Sequence, residues 1–220
     1  MIKIALILKE NKKHNSKVIK YLKSKRIKLD IFIGKNGDKL PLKLRKKKYD
    51  FIISYLSPWI IKKNILSNTR FNNINFHPGP PNYPGIGCYN FAIYNEEKYY
   101  GVTAHIMNAK VDTGKILGVK KFKINKKITL ERLINLSYLK MYKLFKEIVD
   151  KSLNNKLSPT PNISWERKPY KRSDLESLCV LKNKFEKKEI LRRIRSTYYP
   201  GYPGPYYLIN EKKFEYNPKR

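Results

Sequence analysis

The stretch Ile2-Lys3-Ile4-Ala5-Leu6-Ile7-Leu8 decides the fold class of this sequence. Its apolar residues are almost continuous, which is typical of a β-strand that is covered by helices on both faces. Ser16–Lys25 follows with an apolar stripe at helical spacing, and strand-like segments alternate with helical segments beyond it. This alternation predicts an α/β fold with a Rossmann-like, doubly wound and mostly parallel sheet.

The predicted elements continue on both sides of a Pro/Gly-rich loop at Pro78–Gly87. Thr129 is predicted to cap a long helix after the last strand of the sheet. The other predicted strands are Leu29–Ile33, Tyr49–Ser54, Ile74–Phe76, Tyr99–Met107 and Ile116–Ile124, and the other predicted helices of this part are Pro58–Leu66 and Cys88–Asn95.

A domain boundary is predicted at Ser158-Pro159-Thr160-Pro161-Asn162, because two prolines interrupt the pattern there. It divides the chain into a first domain, residues 1–157, and a small C-terminal region, residues 158–220. In the C-terminal region, Arg172–Ser196 has a helical pattern. Two strand-like pieces, Tyr206–Ile209 and Lys213–Tyr216, are close enough to form a β-hairpin.

The chain has 220 residues and a formal net charge of +32. A charge of this size is typical of nucleic-acid binders. It also fits compositional drift, because the Lys and Arg residues are scattered through nearly every segment instead of being concentrated in one arm. We favour drift and expect no specific nucleic-acid partner, although a positive field would attract a phosphorylated substrate.

The sequence also carries expectations about its compartment. No apolar run approaches the ~18 residues that a membrane span needs, and Met1–Glu10 lacks the features of a signal peptide. Cys88 and Cys179 are the two cysteines, which is too few to indicate a disulfide framework. We therefore expect a cytoplasmic protein with reduced thiols and no membrane partner.

The residues that can carry chemistry cluster after two predicted strands. Asn75 and His77 lie two residues apart at a strand end, so their side chains leave the same face. In open α/β sheets, ligands bind at the carboxyl ends of the strands. Thr103 and His105 share one face of a later strand, and the loop after it contains Asp112. Phosphate-loop, dinucleotide and metal-ligand spacings do not occur in the sequence, so we predict no metal site.

Each of these residues also has a purely structural interpretation. His77 fits a turn before proline, Asn75 fits a bond to a loop backbone, and Asp112 fits a turn. His105 fits a core histidine. The functional hypothesis depends on their combination, which offers a base, a carboxylate and an amide donor.

That combination resembles the folate-dependent formyltransferase family, whose members act on glycinamide ribonucleotide, initiator methionyl-tRNA and amino sugars on nucleotide carriers. The family pattern is an Asn-x-His-Pro at a strand end, a loop ending in Tyr-x-Gly, and a Gly-x-Thr/Ser-x-His strand that is followed by an Asp. The matching residues are Asn75, His77, Pro78, Tyr83, Gly85, Gly101, Thr103, His105 and Asp112. The resemblance covers the chain up to the predicted boundary and identifies residues 1–157 as the catalytic domain.

The resemblance implies N10-formyltetrahydrofolate as the formyl donor, a primary amine as the acceptor, and no metal. Asn75 would donate its amide N–H to the oxyanion that forms when the amine attacks the formyl carbon. Protonated His77 would do the same, or it would carry the proton from the amine to the leaving nitrogen. Asp112 would stabilise the imidazolium and accept the amine proton, and Thr103 and His105 would support this centre.

The resemblance also implies where folate binds. In the family, folate lies against the backbone of the loop after the third or fourth strand and of the loop that carries the catalytic Asp. The corresponding loops in this sequence are Tyr55–Ile60 and Asn108–Asp112. The predicted cofactor-binding residues are Ser57, Pro58, Trp59, Ile60, Lys110 and Val111.

Three features bear on the acceptor amine. Gly79-Pro80-Pro81 stands where the purine and tRNA enzymes commonly have Ser-Leu-Leu-Pro, and the surrounding loop resembles the sugar-modifying branch. The C-terminal region is too short for the barrel domain of the tRNA enzymes and longer than the tail of the purine enzymes. Its tyrosines could stack a nucleobase or a sugar, or they could cover a dimer surface. The predicted substrate-binding residues are Pro80, Tyr83, Gly85, Tyr199 and Tyr202.

We therefore predict an N-formyltransferase that acts on the primary amine of a nucleotide-linked amino deoxy sugar, in the biosynthesis of surface glycans such as lipopolysaccharide O-antigen. The carrier would be dTDP, GDP or UDP, and the protein would be a homodimer. One alternative is methionyl-tRNA formylation. An alternative of another class is a basic RNA-binding protein that keeps the fold without catalysis.

Overall fold

Within residues 1–12 and 14–218, which the computed structural model describes, six strands form the main sheet. They are β1 (Ile2–Lys9), β2 (Ile27–Gly34), β3 (Tyr49–Tyr55), β4 (Thr69–His77), β5 (Tyr99–Ile106) and β6 (Ile116–Lys123). Their order in the sheet is β2-β1-β3-β4-β5-β6. The strands from β1 to β4 are parallel, whereas β5 runs antiparallel to both β4 and β6. The predicted Rossmann-like and mostly parallel sheet is therefore confirmed.

Helices cover both faces of this sheet. The helices of this part are α1 (Asn15–Lys23), α2 (Leu42–Lys46), α3 (Lys63–Leu66), α4 (Cys88–Tyr94) and α5 (Leu130–Leu153). A large core lies on the face that α1, α4 and α5 cover, and a smaller core lies under α2 and α3. Successive residues of β1 enter opposite cores, as Leu6 and Ile7 do, which explains why this strand is apolar throughout.

The long helix α5 begins as the sequence predicts. The Thr129 hydroxyl accepts a hydrogen bond from the backbone N–H of Arg132 at 3.3 Å, so Thr129 is the N-cap. The helix buries a stripe that includes Leu133, Leu144 and Ile148 against the larger core. It therefore packs against β4 and β5, the strands that carry the predicted site.

The C-terminal region differs in one respect from the prediction. Instead of one helix over Arg172–Ser196, it contains α6 (Arg172–Cys179) and α7 (Lys187–Thr197), separated by β7 (Val180–Leu181). The chain leaves the helix at Val180 because β7 pairs with β8 (Tyr206–Ile209). The predicted hairpin is confirmed, since β8 pairs antiparallel with β9 (Lys212–Glu215). The boundary at residue 158 stays a prediction.

The predicted helix at Pro58–Leu66 is also wrong in its first half, because helical structure begins only at Lys63. Leu56 has a positive φ of 60°, and the Ser57 hydroxyl accepts a hydrogen bond from the backbone N–H of Trp59 at 2.9 Å. These features hold the chain after β3 in an irregular loop. The short helix α2 was not predicted.

Two further observations concern the described part of the chain. None of its helices combines the length and the apolar character that are needed to cross a membrane. Cys88 and Cys179 are both free, and Cys88 is buried.

Candidate active site

The adjacent strands β4 and β5 bring four of the predicted site residues together. In the antiparallel pairing of these strands, Asn75 lies opposite His105 and His77 lies opposite Thr103. Directly opposed residues of an antiparallel pair point to the same face of the sheet. The two spacings that the sequence analysis singled out therefore meet on one face, at the carboxyl end of β4.

The pairing of β5 with β6 has a bulge-like irregularity next to His105. The register between β5 and β6 shifts between Ala104, which lies opposite Gly118, and His105, which lies opposite Ile116. Bulges of this kind are frequent beside active sites, because they change the direction of a neighbouring side chain. The local backbone thus contributes to the geometry around His105.

The carboxylate of Asp112 lies between the two imidazoles. Its Oδ2 is 3.1 Å from Nδ1 of His77, and its Oδ1 is 3.1 Å from Nε2 of His105. The backbone N–H of Gly85 donates a third hydrogen bond to Oδ2 at 2.8 Å. Asp112 itself has a positive φ of 45°, which non-glycine residues adopt rarely and mostly at turns and functional sites.

Asp112 remains ionised in this environment. Its burial alone would raise the pKa of the carboxyl group, but other effects outweigh burial. The charge of His77, the hydrogen bond and charge of His105, and the Gly85 N–H hold the pKa of Asp112 well below its usual range. The group is therefore a stable negative charge between two rings that can gain or lose protons.

His77 is engaged on both sides of its ring. Nε2 lies 2.9 Å from the carbonyl oxygen of Tyr83, which can only accept, and Nδ1 faces Asp112. Both nitrogens thus face acceptors, and they can donate at the same time only when the ring carries two protons. The side chain is 6% exposed. His77 therefore belongs to the buried side of the cluster.

His105 and Asn75 form the side of the cluster that borders a cleft, although the His105 side chain is only 2% exposed. Nδ1 of His105 donates to the carbonyl of Ile106 at 2.8 Å, and Nε2 lies 3.0 Å from the amide nitrogen of Asn75. The Ser54 hydroxyl donates to Oδ1 of Asn75 at 2.6 Å and fixes the orientation of the amide. One amide hydrogen of Asn75 can donate to Nε2 only while that nitrogen carries no proton and so does not donate to Asp112, and the second amide hydrogen is available to a bound molecule.

These residues open into a cleft of about 530 Å³ at the carboxyl edge of the sheet. The volume is in the range of small-molecule sites. Its lining includes Asn75, His105 and Asp112, together with all six predicted cofactor-binding residues, Ser57, Pro58, Trp59, Ile60, Lys110 and Val111. His77 does not line it in the described structure.

Trp59 gives the cleft a rigid apolar wall. Its indole N–H donates to the carbonyl of Asp38 at 2.8 Å, and its ring packs on Gly34 so closely that a Cβ there would collide with it. The neighbouring Ile60 is 70% exposed, although it is apolar. An exposed apolar side chain beside a fixed aromatic ring can contact a flat heterocycle.

The predicted substrate-binding residues do not all lie together. Pro80 and Tyr83 are buried, and the Tyr83 hydroxyl donates to Glu97 at 2.7 Å. Gly85 contacts the site through its hydrogen bond to Asp112. The supporting residue Thr103 is buried, and its hydroxyl donates to the carbonyl of Gly79 at 2.8 Å. Tyr199 and Tyr202 line a separate cavity of about 400 Å³. We call the cavity that contains both tyrosines the tyrosine cavity.

The structure adds two residues from the C-terminal region that the sequence analysis missed. Arg172 lines the cleft. Trp165 packs against both imidazoles, with ring centroids 5.8 Å from His77 and 5.0 Å from His105. No local spacing could indicate either contact, because the partners are far apart in the chain. Among the described residues, no group of three or more His, Cys, Asp or Glu side chains is arranged to hold a metal ion.

Comparisons with known proteins show which family this chain resembles. A family model described as formyl transferase matches residues 4–147. The bifunctional polymyxin resistance protein ArnA of Wigglesworthia glossinidia brevipalpis is 31% identical over 198 residues, which are 87% of this chain and 29% of that protein. The methionyl-tRNA formyltransferase of Clostridium novyi is 30% identical over 118 residues, which are 53% of this chain and 38% of that protein. The chain thus spans about a third of the length of these relatives.

Solved structures show the same fold over nearly the whole chain. A 4-N formyltransferase from Francisella tularensis superposes with a TM-score of 0.82 at 21% identity, covering 98% of this chain and 96% of that one. An N-formyltransferase from Helicobacter canadensis, in complex with folinic acid and dTDP-3-aminofucose, superposes with a TM-score of 0.76 at 22% identity. That match covers 97% of this chain and 86% of the other.

Proposed function

The chain belongs to the formyl transferase family, and we propose that it transfers a formyl group from N10-formyltetrahydrofolate to the primary amine of a nucleotide-linked amino deoxy sugar. The observation that carries this proposal is the cleft in which Asn75, His105 and Asp112 face the predicted folate-binding residues. The solved sugar enzyme that holds folinic acid and dTDP-3-aminofucose supports the choice of substrates.

The donor would bind along the wall formed by Pro58, Trp59 and Ile60 on one side and by Lys110 and Val111 on the other. The apolar side chains suit a pterin ring, and Lys110 suits the negative charge of a folate tail. The formyl group would then lie beside Asn75, which projects from the strand end between these two loops.

In the proposed reaction, the neutral amine attacks the formyl carbon, and the electron pair of the carbonyl moves to its oxygen. The free amide hydrogen of Asn75 would donate to that oxygen, which is typically worth about 3 kcal/mol in the transition state. The proton lost by the amine moves to the departing N10 nitrogen as the C–N10 bond breaks. His105, which lines the cleft, can carry this proton, because Asp112 stabilises its ring when it is positively charged, and His77 binds the other oxygen of the same carboxylate.

The nucleotide of the acceptor would occupy the tyrosine cavity. Besides Tyr199 and Tyr202, this cavity is lined by Tyr138 and Lys12, which offer stacking surfaces and a cation. Helix α6 connects it to the cleft, since Arg172 lines the cleft and Leu175, one turn later, lines the cavity. A diphosphate between Lys12 and Arg172 would leave the sugar amine in the cleft.

We further propose that the protein is a homodimer that pairs through its C-terminal hairpin. Leu208, Ile209 and Phe214 of β8 and β9 are about half exposed, which is unusual for apolar side chains of a strand pair. Light scattering should give twice the chain mass of 26.1 kDa. Phe214→Glu should yield monomers, and a monomeric parent protein would contradict this part of the proposal. The cytoplasmic location and the role in surface-glycan synthesis stay predictions.

The test is a mass-spectrometric screen of the purified protein with N10-formyltetrahydrofolate. The panel contains dTDP-, GDP- and UDP-linked 3- or 4-amino sugars, and one member should gain a single formyl group. Asp112→Asn serves as the inactive control. If no sugar is formylated by protein that binds folate, the proposed acceptor class is wrong.

Methionyl-tRNA is the second candidate acceptor, because methionyl-tRNA formyltransferases are among the relatives of this sequence. The net charge of +32 would also favour a nucleic-acid substrate. The same assay should therefore include charged initiator tRNA. Formylation of methionyl-tRNA at a much higher kcat/KM than every sugar would replace the sugar proposal by this one.

A further inference from the structure

Trp165 joins three separate parts of the site. Its indole lies edge-on to the imidazoles of His77 on β4 and His105 on β5, with interplanar angles of 73° and 87°. Its indole N–H donates to the carbonyl of Gly114 at 2.8 Å, two residues after Asp112 in the same loop. One side chain therefore contacts both rings and the loop that supplies the carboxylate.

The position of Trp165 is itself fixed by the backbone around it. Residues 165–170, which we call the strap, run along the Pro/Gly-rich loop before α4. Glu166 donates its backbone N–H to the carbonyl of Pro81 at 3.2 Å, and Tyr170 donates to the carbonyl of Pro84 at 3.0 Å. The same loop supplies the Gly85 N–H that binds Asp112. The strap therefore carries the indole and also binds the loop whose Gly85 N–H donates to Asp112.

The surroundings of Trp165 are not those of an ordinary core residue. It belongs to neither of the two hydrophobic cores of the described structure. It contacts two polar rings and a carbonyl group, and the Asp112 side chain that the rings enclose is 4% exposed. Aromatic rings prefer edge-to-face contacts such as these, which fix the plane of each partner.

We infer that Trp165 is a positioning residue, whose ring sets the planes in which His77 and His105 each present a nitrogen to Asp112. The catalytic meaning of this inference rests on the proposed function. Its structural content, the orientation of two imidazoles, can be measured without any assay of turnover.

The test is ring ¹⁵N NMR spectroscopy of the histidine side chains. The sequence has three, His14, His77 and His105, so ring ¹⁵N NMR spectra can be assigned by single substitutions, and His14 is an internal control. In Trp165→Leu, the ring nitrogen shifts and titration curves of His77 and His105 should change, while those of His14 stay as in the parent. Trp165→Phe keeps an aromatic edge and should give intermediate changes. If Trp165→Leu does not fold, the Phe variant carries the comparison.

Turnover provides the second measurement. We expect kcat to fall about tenfold in Trp165→Leu with KM for both substrates within about twofold, because only the orientation of the catalytic groups changes. Trp59→Leu is the matched control. It should raise KM for the folate donor and leave the imidazole spectra unchanged. Unaltered His77 and His105 spectra in folded Trp165→Leu would overturn the inference, whether or not activity is lost. Altered spectra in a protein that formylates nothing would uphold it and reject the proposed function instead.

Discussion

The two edges of the main sheet hold carboxylates in different ways. We call the side of the sheet where the parallel strands begin the amino edge. Toward this edge, Asp30 pairs with the ammonium groups of Lys43 and Lys47, both at 2.8 Å. At the carboxyl edge, Asp112 pairs with two imidazoles. A lysine stays charged at all ordinary pH values, whereas an imidazole gains or loses its proton near neutrality. Of these two clusters, the one at the carboxyl edge therefore contains the side chains that general acid–base chemistry uses most often.

Burial separates the same two clusters. The side chains of Lys43 and Lys47 are 57% and 47% exposed, so water screens their attraction to Asp30. The side chains of His77, His105 and Asp112 are all at most 6% exposed. Electrostatic interactions are stronger in such a water-poor environment. A small displacement of a charged group therefore changes the interaction energy more in this buried cluster than at the amino edge.

Cavity size does not distinguish the two edges. A cavity of about 540 Å³ at the amino edge, lined by Lys3, Lys48 and Arg70 among others, is as large as the cleft of about 530 Å³. The cleft differs in its chemistry, because it combines an apolar wall with an amide, an imidazole and a carboxylate. The character of the groups, and not the volume, identifies the candidate site.

The largest expected difference between the edges concerns turnover. Asp112→Asn should lower kcat at least ~100-fold, because the imidazoles lose the charge that stabilises them when they carry a proton. His77→Asn should lower kcat by a similar factor, because it removes one of the two imidazoles that bind Asp112. Asp30→Asn is the matched control and should leave kcat unchanged. Steady-state kinetics with the formylated product as readout checks both. Near-normal turnover in folded Asp112→Asn would remove the assigned role.

A second comparison uses two glycines with positive φ. Gly85 has a φ of 85°, and a Cβ there would collide with the backbone of Tyr170 in the strap, whereas Gly37 has a φ of 94° and open space around it. Gly37→Ala should cost only about 1 kcal/mol of unfolding free energy from the backbone conformation. Gly85→Ala should cost about 3 kcal/mol, since the collision adds to that strain.

Gly85→Ala should also lower kcat about tenfold, because the N–H that binds Asp112 moves with the loop. Urea denaturation and steady-state kinetics measure the two effects separately. Equal stability losses in the alanine variants of Gly85 and Gly37 would show that the strap does not constrain the carboxyl edge.

Sequence reasoning succeeded where the determinants are local. The continuous apolar character of β1 and the regular alternation of elements predict a parallel sheet, and the two-residue spacings of Asn75/His77 and Thr103/His105 predict shared faces. These features follow from strand geometry alone. They do not by themselves bring the two pairs together, because that depends on the antiparallel pairing of β4 with β5.

The remaining features depend on contacts between distant segments. Trp165 reaches the imidazoles, and Arg172 reaches the cleft, although both lie beyond the predicted boundary at residue 158. The different exposure of His77 and His105 to the cleft also has no local signal, since it depends on the carbonyl of Tyr83, which engages His77. Such contacts leave no periodic pattern, so only the folded chain reveals them.

The tyrosine cavity and the amino-edge cavity should differ in nucleotide binding. Tyr202→Ala should raise KM for the nucleotide sugar about tenfold with kcat unchanged, because stacking of a base on an aromatic ring is worth about 1–3 kcal/mol. Titration calorimetry with dTDP, GDP and UDP should show weaker binding of the preferred nucleotide. Arg70→Ala at the amino-edge cavity is the control and should bind as the parent does. If Arg70→Ala weakens nucleotide binding and Tyr202→Ala does not, the nucleotide site is at the other edge.

The smallest effect concerns the amino-edge carboxylate. Burial alone would raise the pKa of Asp30, but hydrogen bonds from Lys43, Lys47 and Tyr49 outweigh burial and hold that pKa well below its usual range. A carboxyl group whose pKa is lowered by folding stabilises the native state above its unfolded pKa, near ~3.9, and loses that contribution as the pH falls through the folded value.

Asp30→Asn should therefore lower the unfolding free energy by about 1 kcal/mol at pH 7, as expected for partly exposed ion pairs. The gap between the parent and the variant should stay constant down to about pH 5 and narrow below about pH 4. Thermal denaturation across this pH range, at low and high salt, is the measurement, and salt should also narrow the gap. A gap that widens as the pH falls would have the wrong sign for a carboxylate held by lysines, and it would end the contrast between the two edges.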